Sequence, residues 1–119
     1  MADSVIILYR IVEHNPPTQD DMRSYQELGI PLRVNTPETL RESRGISLYN
    51  TLRQARNQAA RLQRPEHRFI AELQIPDDAP VTIERTGRRG HHTLWGSPDG
   101  ILGYITRVAP IHSEEEETP

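Results

Sequence analysis

A chain of 119 residues, 34% hydrophobic and 5% aromatic, has room for one domain with a modest core. It has no cysteine, which excludes disulfides, thiolate metal sites and thiol nucleophiles. The formal charge of −3 becomes +1 once the four glutamates Glu114 to Glu117 are set aside, so the body is near neutral and gives no electrostatic case for nucleic acid. All 14 basic residues are arginine: lysine Schiff-base chemistry is excluded, and any clamp on a phosphate or carboxylate has to use the guanidinium fork.

The run Val5 to Val12 is apolar and largely β-branched, the pattern of a central strand buried on both faces. It is too short for a signal peptide or a membrane span, and no other stretch reaches spanning length, so a soluble cytoplasmic protein is expected. Pro16 and Pro17 end the strand. Thr18 with Asp21 three residues on predicts a helix carrying Met22, Tyr25 and Leu28 on one face and closed by Gly29. Thr36 and Pro37 predict a second, short helix. Ile46 to Tyr49 reads as a short strand.

Thr51 with Gln54 forms a capping box for the best helix in the chain, Leu52 to about Gln63, with Leu52, Ala55, Ala59 and Leu62 as its apolar stripe. Phe69, Ala71, Leu73 and Ile75 alternate with Ile70, Glu72 and Gln74, which is strand periodicity. Val81 to Arg85 follows the turn Pro76 to Pro80, and the two strands read as an antiparallel hairpin. After the turn Thr86 to Gly90 come a strand from His91 to Trp95, a capped turn at Ser97–Pro98, and a last strand near Tyr104 to Val108. The expected organisation is one domain over residues 1–108 with a disordered acidic tail over 109–119, since packed like charges bury nothing. The predicted class is α+β: a mostly antiparallel, twisted sheet with two or three flanking helices.

The polar residues on apolar strands are the candidates for function. Arg10 interrupts an apolar strand, and a buried guanidinium needs a partner. Either it pairs with Glu72 or Glu84 on neighbouring strands, or it faces a cleft that takes an anion. Alternation puts His92 on one face with Leu94, and His91 on the other with Thr93 and Trp95. The adjacent histidines therefore cannot grip one ion, and no metal site is expected. His92 is either a structural group or a proton partner within a cleft. Trp95 packs in the core or forms the stacking wall of a pocket. Gly87–Arg88–Arg89–Gly90 is a basic turn suited to a phosphate, although such turns are common surface features. No GxxxxGK or GxGxxG is present, and Ser47 does not sit in a GxSxG elbow.

Arg10 on the first strand, then a short strand with Ser47 and Tyr49 leading into a helix, then strands bearing glutamates, resembles the layout of the ADP-ribosyltransferase fold. The likeness is to its small bacterial toxin members, including the RES-type NAD-degrading domains. It implies NAD as substrate, with cleavage of the bond between ribose and nicotinamide. On that likeness Arg10 holds the pyrophosphate, Ser47 orients the ribose, and Tyr49 or Trp95 stacks on the nicotinamide. Glu84 or Glu72 offsets the charge on the ribosyl cation, with His92 as a further catalytic candidate. The implied partners are a protein or nucleic-acid acceptor and a cognate antitoxin. The chain departs from the family after Ser47, where Leu48–Tyr49 replaces the usual Ser-Thr-Ser continuation, and outside the acidic run Glu114 to Glu117 it lacks a Glu-x-Glu pair. The alternative is a non-catalytic interaction module, such as an antitoxin, an immunity protein or a phage accessory factor, in which each of these polar groups is paired internally.

Overall fold

Six strands form a single sheet in which every neighbouring pair is antiparallel. They are β1 (Val5–Val12), β2 (Ile46–Tyr49), β3 (Phe69–Pro76), β4 (Thr82–Arg85), β5 (His91–Trp95) and β6 (Ile105–Pro110), and they lie in the order β4-β5-β2-β1-β3-β6. The computed structural model describes residues 4–29, 36–62, 68–87 and 90–111. Among these the helices are α1 (Tyr25–Leu28), α2 (Pro37–Glu42), α3 (Leu52–Leu62) and α4 (Pro98–Leu102), with a 3-10 turn over Gln19–Met22. The class is α+β with an antiparallel sheet, as the alternating patterns predict.

Alternation divides the side chains cleanly between two faces. Leu8, Leu48, Leu73, Ile75 and Leu94 point to one face, where Met22 of the 3-10 turn and Ile101 of α4 close over them. Each of these leucines is at most 1% exposed and contributes about 2 kcal/mol by burial. On the other face Tyr9, Ile11, Tyr49 and Ile70 meet Leu52, Ala55 and Ala59 of α3, and Ile111 completes that cluster. The small alanines let α3 lie close to the sheet, as the predicted stripe requires at Leu52, Ala55 and Ala59; Leu62, its fourth member, is instead 40% exposed at the end of the helix.

The structure corrects several sequence expectations. The hairpin is β4–β5, across the turn at Thr86–Gly90, and not β3–β4. Both edges of β3 are taken, by β1 and β6, so the chain must cross to the far end of the sheet before β4 can pair. The first predicted helix breaks at Arg23, whose backbone is extended, leaving a 3-10 turn and the single turn α1. The Thr18–Asp21 capping box does form. However, Arg10 Nε takes the Asp21 carbonyl at 2.6 Å, an acceptor that a continuing helix would need for its next turn. β1 is central but not enclosed along its whole length: Val5 and Ile7 are 51% and 43% exposed. The last strand runs to Pro110, and Ile111 is buried beneath α3, so ordered chain continues past residue 108. The acidic run Glu114 to Glu117 and the arginines Arg88 and Arg89 lie outside the described residues.

Candidate functional site

Between α3 and α2 a strip of the sheet is left uncovered. α3 lies over β1, β2 and β3, while α2 reaches the opposite edge, where the Arg41 guanidinium stacks 4.2 Å above the Trp95 ring. The sheet carries small polar residues in that strip, Ser47 on β2 directly opposite Thr93 on β5, beside the apolar Ile11 and Ile46. The result is a cleft of about 720 Å³, within the ordinary range for a small-molecule site. Ser47, Thr93 and His91 form its floor, with Tyr49 beside them. One wall is the polar side of α3, with Gln54, Asn57, Gln58 and Arg61. The other is made by Thr39, Glu42 and Ser43 with Arg23 and Ser24.

Arg10 enters the cleft through a gap in the sheet. The β1–β2 ladder is registered only at Tyr9 opposite Tyr49, and the two strands separate beyond that pair. Where they separate, Arg10 Nη1 donates to the Ser47 carbonyl at 2.9 Å, while Nε donates to the Asp21 carbonyl. The guanidinium thus replaces part of a strand ladder and ties the 3-10 turn to the sheet. Neither expected carboxylate partner is used. Glu72 accepts from Tyr9 Oη at 3.3 Å and from Thr106 Oγ1 at 2.8 Å, at a bulge that leaves Thr106 unpaired between Ile105 and Arg107. Glu84 is bound by both Arg41 nitrogens, at 3.0 and 2.6 Å. That bidentate bond holds the Glu84 carboxyl below its ordinary range and raises the Arg41 guanidinium.

The Arg10 wedge depends on a second buried group. The Asp21 carboxylate accepts from the backbone N–H of Glu13 at 2.8 Å and of Thr18 at 2.9 Å, and it meets His14 Nδ1 at 2.9 Å. These bonds fix the loop that follows β1 and so place the carbonyl that Arg10 grips. The sequence marked Asp21 as a capping residue, and the structure gives it this wider part.

Of the residues singled out in the sequence, Arg10, Ser47 and Tyr49 share the cleft. Glu72, Glu84, His92 and Trp95 do not line it. Trp95 is occupied by Arg41, and its Nε1 donates to the Arg41 carbonyl at 2.9 Å. His92 is on the closed face, 7% exposed, opposite Leu48 and Arg85. Its Nδ1 is buried without a partner. Burial lowers its pKa below the ordinary 6.5; a backbone bond to Gly90 opposes that, and the charges of Arg85 and His91 add to it.

The cleft also contains residues that the sequence did not mark: His91, Glu42, Arg61 and the amide side of α3. One signal for them existed. Gln54, Asn57, Gln58 and Arg61 recur at helical spacing beside the apolar stripe, and a helix face of uncharged amides is unusual for simple solvation. Close backbone approaches hold the walls in place. A Cβ on Gly45 would come within 2.5 Å of Thr93 Cγ2, and one on Gly90, at φ +85, would collide with the Gln54 amide.

Among the described residues no group of histidine, aspartate and glutamate side chains could hold a metal ion, and no helix is long and apolar enough to cross a membrane. Comparison with protein-family models, with curated proteins and with solved structures finds no match to this chain.

Proposed function

We propose that the cleft binds an anionic nucleotide of the NAD type, and that the protein is an ADP-ribosyltransferase-type effector or NAD glycohydrolase. The observation that carries this reading is that Arg10, Ser47 and Tyr49 meet in one cleft of about 720 Å³. Arginines on both sides give that cleft a cationic rim, which suits a pyrophosphate. Arg61 forms no ion pair with any described residue, so its fork is available to an anion.

The catalytic assignment changes within this reading. Glu72 and Glu84 serve structural partners, and the carboxylate lining the cleft is Glu42. Glu42 takes the role of offsetting positive charge on the ribose as nicotinamide leaves. Tyr49, already in the cleft, supplies the aromatic surface for the nicotinamide ring.

Calorimetry and ligand-observed NMR with NAD test the proposal directly. Wild type is expected to bind NAD at sub-millimolar concentration and to release nicotinamide. Glu42→Gln is expected to bind NAD and lose turnover. If wild type shows no NAD affinity at millimolar concentration, the enzyme reading falls and the interaction module stands. A specific observation favours that second reading: Nε and Nη1 of Arg10 and the carboxylates of Glu72 and Glu84 bond inside the protein.

A further inference from the structure

The ring of His91 is held through one nitrogen. Nδ1 lies 2.9 Å from the Thr86 carbonyl oxygen and 3.1 Å from Thr86 Oγ1. A carbonyl only accepts, so Nδ1 carries the proton, and in the neutral ring Nε2 keeps its lone pair. Thr86 is itself fixed, its hydroxyl 2.6 Å from that of Thr93. Tyr49 meets the ring edge-on, with centroids 5.4 Å apart and planes at 70°. The ring is therefore oriented from two sides, it lines the cleft, and no described residue bonds to Nε2.

The surroundings give that lone pair a meaning. Arg10, Arg23 and Arg61 line the same cleft, and guanidinium groups only donate. Arg10 and Arg23 already donate within the protein, so the fork of Arg61 is the donor paired with that acceptor, and the two together select a ligand that has both an anionic group and a hydroxyl. We infer that His91 Nε2 accepts a hydrogen bond from a ligand hydroxyl while Arg61 takes the anionic group, so the ligand class is a phosphorylated sugar. This rests on the nucleotide reading only in that a nucleotide contains such a unit. It makes His91, and not His92, the histidine that serves the site.

Histidine-selective nitrogen NMR on the full chain, with ribose monophosphate and inorganic phosphate as probes, tests the inference. His91 is expected as the Nδ1–H tautomer, and ribose monophosphate is expected to move its Nε2 resonance. His91→Phe should weaken ribose monophosphate binding by about tenfold and leave the affinity for inorganic phosphate unchanged. His91→Gln, which can offer an amide oxygen near the Nε2 position, should retain most of the affinity. An Nε2–H tautomer overturns the inference, as does ribose monophosphate binding no tighter than phosphate, or a His91→Phe variant that binds like wild type. Should His91→Phe fail to fold, the tautomer and the resonance shift in wild type decide. The two proposals separate clearly. If NAD does not bind but ribose monophosphate does, the nucleotide reading falls and this one stands. If NAD binding is insensitive to His91→Phe, this one falls and the nucleotide reading stands.

Discussion

The two faces of the sheet solve different problems with the same strands. On the closed face, buried leucines and isoleucines from four strands meet Met22 and Ile101, and the buried His92 is held in its neutral form by burial. On the other face α3 and α2 each cover an end, and the strip between them carries Ser47, Thr93 and His91. The contrast shows where stability and recognition reside. A face that excludes water everywhere sustains the fold, and a face left partly open can admit a ligand. Adjacent histidines on one strand make the point at single-residue scale. His91 is oriented by Thr86 and lines the cleft, whereas His92, one residue on, is sealed beneath the opposite face.

The largest effect expected is on the closed face. Leu94→Ala should cost about 3 kcal/mol in urea unfolding, since Leu94 is 1% exposed amid packed neighbours. A loss below roughly 1 kcal/mol would mean that this face is not the main source of stability. Ala59→Asp tests the covered part of the other face. It puts an unpaired carboxylate beneath α3, where Ala59 is 6% exposed, and should cost roughly 2 kcal/mol or more. A neutral result would show that α3 presents a different side to the sheet.

Arg10 lies at the seam between the faces and should behave accordingly. Arg10→Met removes donors from the Asp21 and Ser47 carbonyls and should cost about 2 kcal/mol, less than the leucine change. Melting curves and NAD affinity measured on this one variant show whether the guanidinium serves structure alone or the ligand as well.

The His92 prediction concerns direction with pH. Its folded pKa is depressed below 6.5, so the unfolded chain takes up the proton first. Its contribution to stability is complete above that value and is lost as pH falls below it towards the folded pKa. His92→Leu should therefore remove part of the acid sensitivity, seen in unfolding curves from about pH 8 to about pH 5. Identical pH profiles for the two proteins would refute the sealed, neutral histidine. The smallest effect belongs to the open strip. Ser47→Ala should change stability by less than about 0.5 kcal/mol, because its side chain is exposed on the cleft floor, while NAD binding weakens.

Local chemistry made much of the fold legible. Apolar β-branched runs and period-two alternation gave the strands, and alternation gave the opposite facing of His91 and His92. The Thr36 and Thr51 caps and the narrow stripe of α3 gave the two longest helices among the described residues. These signals lie within a few residues of one another, and a single sequence is enough to carry them. Pairing is different. That β3 joins β1 and β6 while β4 crosses to β5 depends on which edges remain open after collapse, and no local pattern encodes that choice. The same holds for the polar partners. Arg10 found the carbonyls of Asp21 and Ser47, 11 and 37 residues away, and Glu84 found Arg41 at a separation of 43. From the sequence alone one could say that a guanidinium in an apolar strand needs acceptors, because burial demands it. Which acceptors it reaches, and the cleft that opens beside them, followed only from how two helices cover one sheet.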